Sequence, residues 1–355
     1  LLIYLSPMES FRITFRPSGH SIIAEAGETI LEAALRHGLS LPYGCRNGSC
    51  GTCKGKIIQG IVDYGVYSNE ALTEQEKEQQ LALFCCAKPL SDLEIECQEI
   101  EAVKDIKIRT MPCRVHKLEH VASDVMIIYL KLPTNERLQF LPGQYIDILM
   151  KDGQRRSFSL ANAPGNDEFL QLHTRNYAGG VFSEYVFSHM KEKDILRFEG
   201  PLGTFFLCDA PQNDTPIIFL AGGTGFAPVK SMLEHLFYTE NTRFKHNKIK
   251  LYWGARNKDG LYLNDLARKW EKENENFCYV PVLSEALPAD NWQGKTGLVH
   301  QAVMDDIETL LDYQVYACGA PVMVKAAFDS FTSERNLLRE NFFSDAFVPS
   351  KPATT

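Results

Sequence analysis

Three cysteines on one short loop, and a further pair downstream, carry the clearest chemistry in this chain. Residues 43–53 read Tyr-Gly-Cys-Arg-Asn-Gly-Ser-Cys-Gly-Thr-Cys, placing Cys45, Cys50 and Cys53 at the spacing C-x4-C-x2-C, with Cys85 and Cys86 following later. Two irons and two sulfides need four thiolates, and this spacing supplies three of them from one loop. Such a loop must wrap its cluster closely. Gly44, Gly48 and Gly51, with the small Ser49 and Thr52, allow the wrap. They also let backbone N–H groups approach the sulfurs, where hydrogen bonds stabilise the reduced, more negative cluster. Zinc matches less well, because its sites more often pair C-x2-C knuckles. Successive residues on a strand point to opposite faces, so only one of Cys85 and Cys86 is expected to reach the irons.

Two glycine turns add phosphate chemistry. The apolar run Ile217–Ala221 leads into Gly222-Gly223-Thr224-Gly225, and a helix then opens with Pro228 in its first turn. Glycines there permit a tight turn and let a pyrophosphate approach the helix N-terminus. Gly179-Gly180 ahead of Val181-Phe182-Ser183 reads as a second turn of this kind, suited to a diphosphate. In parallel sheets ligands collect at the carboxyl ends of strands. Gly254-Ala255-Arg256, Ser284-Glu285 and Cys318-Gly319 fall at such ends.

These groups need a scaffold of some size. At 355 residues the chain accommodates two or three domains. Its net charge of -8 weighs against a nucleic-acid partner. No apolar run approaches the roughly 18 residues of a membrane span. Leu1–Leu5 is too short for a signal peptide and lacks a basic flank. Met8 is the expected natural start, and a cytoplasmic location follows as the expectation. The ten cysteines then read as metal ligands or buried thiols rather than disulfides. Glu74–Glu78 is expected to be a solvated helix face, and His20, His173, His235 and His300 lack metal-ligand spacing.

The pattern divides into three blocks. In 9–99, a hairpin of Phe11–Phe15 and Ser21–Ala24 precedes a helix with Ile30, Leu31, Ala34 and Leu35 on one face. Residues 99–108 are charged and irregular, a linker. In 109–207, strands at Cys113–Leu118, Val125–Leu132, Tyr145–Leu149 and Phe169–His173 alternate with turns, which predicts an antiparallel barrel. In 214–348, strands at Ile249–Trp253, Phe277–Leu283 and Tyr313–Cys318 alternate with helices near 263–272, 298–311 and 321–331, the pattern of a parallel sheet.

Resemblance sharpens each block. The first is similar to plant-type [2Fe–2S] ferredoxins of β-grasp fold, and Cys85-Cys86-Ala87-Lys88-Pro89 resembles the end of their motif in a way that implies Cys85 as the fourth ligand. Arg156-Ser157-Phe158-Ser159 resembles the R-x-Y/F-S flavin signature of the ferredoxin-NADP reductase superfamily. That implies an FAD barrel in which Arg156 holds the flavin pyrophosphate, Phe158 packs on the flavin and Ser159 lies near flavin N5, with Gly180, Val181, Phe182 and Ser183 also at the cofactor. Gly200-Pro201-Leu202-Gly203-Thr204-Phe205 resembles the close of that domain. The third block then resembles a Rossmann-like NAD domain. Cys318-Gly319 matches the position where a thiol packs against nicotinamide, and Asp345 stands where relatives carry a terminal Glu. NADPH-using relatives follow the strand ending near 283 with Ser-Arg, whereas here Ser284-Glu285 presents a carboxylate that would repel a 2'-phosphate and accept a ribose hydroxyl. NADH is the expected donor.

Together these cofactors imply electron transfer from NADH to FAD to the cluster and on to a protein acceptor. A hydride carries two electrons and the cluster accepts one at a time, so a flavin is the natural converter. Plant-type clusters lie near about −400 mV, low enough for most acceptors. Tyr145-Ile146-Asp147, Leu220–Ser231, Gly297–Val303 and Phe342–Ser350 resemble the CDP-6-deoxy-Δ3,4-glucoseen reductase family of 3,6-dideoxyhexose synthesis, whose partner is an iron–sulfur, pyridoxamine-phosphate dehydrase. Reductases of phenol, methane and benzoate oxygenases share the domain order and are the second reading. A ferredoxin-like carrier without catalysis is the third.

Overall fold

A computed structural model describes residues 10–208, 214–238 and 246–348. The start expected at Met8 and the last residues of the 342–350 stretch lie outside the described residues. The chain gathers into two compact units, one ending at Lys107 and the other beginning at Ile108.

In the first unit, β1 (Phe11–Arg16) and β2 (Ser21–Ala24) form the expected hairpin. Ile13, Phe15 and Ala24 are fully buried and alternate with exposed neighbours. Thr29 caps α1 (Ile30–Arg36) in a reciprocal capping box with Glu32, and the helix buries Ile30, Leu31, Ala33 and Ala34. There follow β3 (Lys54–Gln59), β4 (Val62–Asp63), α2 (Glu74–Glu78), β5 (Leu81–Leu83), β6 (Lys88–Pro89) and β7 (Leu93–Glu96). The main sheet runs β2-β1-β7-β3-β5, with β1 and β7 parallel, and β4 pairs with β6 apart from it. This is a β-grasp sheet. No residue of α2 is buried, so it is the solvated face its charge run predicts.

The second unit begins with a barrel of β8 (Arg109–Ala122), β9 (Val125–Lys131), β10 (Tyr145–Leu149), β11 (Arg155–Ser159), β12 (Leu170–Arg175) and β13 (Ile195–Leu202), with α3 (Val181–Ser188) between the last two. The antiparallel order is β11-β10-β13-β8-β9-β12. A bridge between Leu160 and Leu172, with the Ala161 N–H donating to Gln171 O at 2.8 Å, closes the edges. Closure removes free strand edges, and Val115, Ile128, Leu130, Ile146, Ile148, Leu172 and Phe198 fill the interior.

A parallel sheet follows. Its elements are β14 (Ile217–Gly222), α4 (Phe226–Tyr238), β15 (Ile249–Ala255), α5 (Asn264–Glu273), β16 (Phe277–Leu283), β17 (Lys295–Thr296), α6 (Val299–Asp306), β18 (Gln314–Gly319), α7 (Pro321–Glu334) and β19 (Phe342–Ala346). The order is β17-β16-β15-β14-β18-β19. Helices cover both faces, so β14 is buried throughout Ile217–Ala221, which is why it reads as an unbroken apolar run. Strand order reverses between β14 and β18, the place where such sheets bind ligands.

Helix α4 ties sheet to barrel through buried polar groups. Lys230 Nζ donates to Ala161 O at 2.9 Å and to Glu234 Oε1 at 2.6 Å, while Ser231 Oγ donates to Asn162 O at 2.7 Å. Burial lowers the Lys230 pKa, and the adjacent Glu234 carboxylate opposes that shift.

Candidate functional site

The cysteine loop lies between α1 and β3, and Cys53 leads directly into β3. Gly48 sits at φ +74° against the rest of the site. A methyl group there would fall 2.7 Å from Cys86 Sγ and 2.9 Å from Val66 O, so no larger residue fits. Backbone N–H groups reach the sulfurs as expected: Ser49 N to Cys45 Sγ at 3.4 Å, Cys45 N to Cys50 Sγ and Cys85 N to Cys53 Sγ at 3.5 Å. The first N–H groups of α1 donate to Ala87 O and Phe84 O, both at 2.9 Å, and fix the segment that carries Cys85.

One expectation here is corrected. Cys85 and Cys86 stand in a turn between β5 and β6, not on a strand, and their sulfurs are 3.6 Å apart. Leu83 O accepts from both Cys86 N and Ala87 N, which coils the backbone and cancels strand alternation. The two thiols nevertheless differ in their surroundings. Cys85 is held down to about 3 by the Cys53 and Cys86 thiols, whereas Cys86, beside that thiolate, is pushed up. Cys50 is lowered to about 6 by its bond with Cys45. Cys45 bonds with Cys50, and Cys85 bonds with both Cys53 and Cys86. Among the described residues no group of three or more Cys, His, Asp or Glu surrounds a common point. The donor chemistry fits an iron–sulfur cluster: soft sulfurs, thiolate character and N–H groups already directed at them.

On the barrel, β11 sends its side chains to different partners. Ser157 Oγ donates to Asp147 Oδ1 at 2.6 Å, and Arg155 meets Glu199 at 2.8 Å. Arg156 Nη2 donates to Gln154 Oε1 at 2.5 Å, and the Phe158 ring lies 4.9 Å from Phe182 in the first turn of α3. Phe158 therefore joins the two flavin motifs, while the Ser157 hydroxyl is committed to the barrel wall. Ser159 is buried at the end of β11 opposite Tyr145. Gly180 stands at the N-cap of α3 and so gives its first-turn N–H groups no capping side chain. Ser183 Oγ donates back to Gly180 O at 2.9 Å.

The other glycine turn occupies the switch point. Gly223–Gly225 form a 3-10 turn running into α4, and Thr224 is buried within it. A side chain on Gly225 would run into the Cys318 carbonyl, and one on Gly222 would fall 2.6 Å from Met323 Sδ. Only bare backbone lets the turn after β14 lie this close to the end of β18 and the start of α7. Cys318 is fully buried and in register with Asp345 on β19. Burial and then Asp345 push the thiol well above its usual range, so it stays neutral. At the carboxyl ends of β15 and β16, Ser284 N donates to Ala255 O at 2.9 Å and Glu285 N to Arg256 O at 2.8 Å. These hydrogen bonds bring Arg256, Ser284 and Glu285 together on an exposed rim.

Comparison with known proteins matches these regions in order. The 2Fe-2S iron-sulfur cluster binding domain matches residues 13–90, the oxidoreductase FAD-binding domain 112–207 and the oxidoreductase NAD-binding domain 219–329. The CDP-6-deoxy-L-threo-D-glycero-4-hexulose-3-dehydrase reductase of Yersinia pseudotuberculosis is 42% identical over 96% of this chain and 100% of its own length. The chain belongs to the iron–sulfur flavoprotein reductases. This reductase is thus an NADH-dependent oxidoreductase with 2Fe–2S, FAD and NADH as its cofactors. The phenol 2-monooxygenase reductase component DmpP of Pseudomonas sp. strain CF600 is 35% identical to it over 95% of the chain and 96% of the relative. The crystal structure of Amycolatopsis cytochrome P450 reductase GcoB matches with a TM-score of 0.79 at 30% identity, covering 96% of this chain and 99% of the other. Among the described residues of the reductase no helix is long and apolar enough to cross a membrane.

The end of β12 was not predicted to carry function. The strand continues past His173 to Arg175. His173 Nδ1 lies 2.8 Å from the Tyr262 hydroxyl, while His173 Nε2, Thr174 Oγ1 and Arg175 Nε and Nη2 are buried without a hydrogen-bond partner. Burial holds the His173 pKa well below its usual value, so the ring is neutral. Three successive polar residues ending an alternating strand were the available signal in the sequence.

Proposed function

We propose that this reductase delivers electrons to the dehydrase of a nucleotide-sugar deoxygenation, as the name of its 42%-identical, full-length relative suggests. That relative is the observation that carries the reading. A reductase component of an aromatic oxygenase is the second reading, supported by the 35% identity to a phenol 2-monooxygenase component. Bound flavin takes up the two electrons of a hydride and passes them on singly to an iron–sulfur cluster.

The residues divide the work. Cys45 with Cys50, and Cys53 with Cys85, would each hold one iron, and the pairing of their thiols supports Cys85 over Cys86. Arg156 and the first turn of α3 would hold the flavin diphosphate, with Phe158 and Ser159 along the flavin. Gly222–Gly225 would receive the diphosphate of NADH. Cys318, kept neutral by burial and Asp345, would pack against the nicotinamide. Ser284 and Glu285 would accept ribose hydroxyls and reject a 2'-phosphate, with Arg256 beside them. Residues 9–99, 109–207 and 214–348 are the proposed domain limits. Ten free thiols support a cytoplasmic setting.

The test is reconstitution. Anaerobic NADH should bleach the visible spectrum, and the reduced protein should then reduce a pyridoxamine-phosphate dehydrase faster than an oxygenase component. Faster transfer to the oxygenase component establishes the second reading instead. Bleaching by dithionite alone overturns both.

A further inference from the structure

A ligand set of Cys45, Cys50, Cys53 and Cys85 leaves one more thiol at the same site. Cys86 is buried, and its Sγ lies 3.6 Å from Cys85 Sγ. Two bare glycines close round it. A methyl group on Gly48 would fall 2.7 Å from Cys86 Sγ, and one on Gly65 would fall 2.6 Å from Cys86 O. Gly48 belongs to the cysteine loop, and Gly65 to the segment between β4 and α2. Cys86 is therefore fixed between two segments, with its sulfur directed at Cys85.

Between two thiols either sulfur could donate the hydrogen bond. A sulfur that ligates iron has given up its proton and can only accept. A thiol left free keeps its proton near neutral pH and is a weak donor. The bond then has one direction, from Cys86 to Cys85. Reduction makes a cluster more negative, and a hydrogen bond strengthens as its acceptor gains charge. Such bonds to the sulfurs are among the features that set a cluster's potential. We infer that the Cys86 thiol donates to the ligating sulfur of Cys85 and raises the cluster's affinity for an electron. The Gly48 N–H meets the same sulfur, so Cys86 adds a side-chain donor to a backbone one. Its role is electrostatic and passes through Cys85 rather than through direct contact with iron. A cluster that is easier to reduce is filled to a greater extent from NADH.

The inference rests on Cys85 being the fourth ligand, which iron and sulfide content test separately. The intact reductase, with flavin and cluster bound, is titrated anaerobically against redox dyes while EPR follows the reduced cluster. One hydrogen bond corresponds to up to about a tenfold change in an equilibrium constant, or about 59 mV for a one-electron couple. Cys86→Ala should keep iron and sulfide, lower the cluster midpoint by up to that amount and leave the flavin midpoint unchanged. Cys86→Val, which fills more of the vacated space without a donor, should do the same. Cys86→Ser keeps a donor, and its midpoint should stay above that of Cys86→Ala. After exchange into heavy water, pulsed ENDOR of the reduced wild type should show a deuteron coupling that Cys86→Ala lacks. A cluster midpoint at or above wild type in Cys86→Ala and Cys86→Val would overturn the inference. So would an equal fall in the flavin midpoint, or a deuteron coupling that survives in Cys86→Ala. Loss of the cluster from Cys86→Ala while Cys85→Ser retains it would make Cys86 the ligand, and would overturn the ligand set and the inference with it.

Discussion

Cys85 and Cys86 are neighbours of the same type, and what their sulfurs touch separates them. Cys85 meets the Cys53 thiol, whereas Cys86 reaches that pair through Cys85. Cys86→Ser should therefore keep bound iron and visible absorption near wild type, and Cys85→Ser should lose most of both. Iron and acid-labile sulfide assays decide it, and the reverse pattern would assign the ligand to Cys86. Specificity also turns on one side chain. Glu285 stands exposed beside Arg256, with its backbone fixed to β15. Replacing it with Arg exchanges repulsion of a 2'-phosphate for attraction. Glu285→Arg should raise kcat/KM for NADPH by about tenfold or more, a change of roughly 1.4 kcal/mol, while NADH loses. If the NADPH to NADH ratio stays put, the ribose end of the cofactor binds elsewhere.

Strands and turns carry the next level of constraint. The parallel sheet could be read from apolar runs alternating with helical stretches, and β10 and β16 keep the predicted limits. The β1–β2 hairpin could be read from alternation and its Pro17-Ser18-Gly19 turn. The end of β12 offered three successive polar residues but nothing to show that they are buried. His173 and Lys230 are polar by type and buried by partners far along the chain: Tyr262 for one, Ala161 and Gln171 for the other. Burial of that kind is tertiary and leaves no local period. The turn at Cys85 and Cys86 escaped strand logic because Leu83 O gathers two local N–H groups while the distant start of α1 holds Phe84 O and Ala87 O. Buried His173 makes a prediction of its own. Its folded pKa is depressed well below 6.5 by desolvation, so below pH 6.5 the unfolded chain binds a proton that the folded one refuses. Stability then falls with pH by up to about 1.4 kcal/mol per unit, from 6.5 down to the folded value. His173→Gln should flatten this acid dependence, measured as urea midpoints between pH 7 and pH 5. Parallel slopes for the two proteins would show that His173 does not set it. At the switch point, Gly225→Ala forces a methyl group into the Cys318 carbonyl. It should destabilise by about 1–3 kcal/mol, as overpacking does, and weaken NADH binding more than FAD binding.

Across the whole chain, two compact units divide at Lys107 and Ile108. The barrel and the parallel sheet share one unit because α4 buries Lys230, Ser231 and Glu234 against barrel carbonyls and N–H groups. Separating them would break these hydrogen bonds and remove the barrel surface that buries the Lys230–Glu234 pair. The cysteine unit has its own sheet and its own buried core of Ile13, Phe15, Ile30, Phe84 and Ile95. This partition predicts how function divides. Residues 108–355 expressed alone should fold, bind FAD and reduce ferricyanide with NADH at close to the full-length rate, because hydride uptake needs only that unit. The same fragment should fail to reduce the protein acceptor. Full-length Cys50→Ser should behave likewise, since it removes one thiolate of the cluster and leaves the second unit unchanged. Transfer to the acceptor surviving in either protein would mean that electrons leave from the flavin directly, and the cluster would then stand off the path.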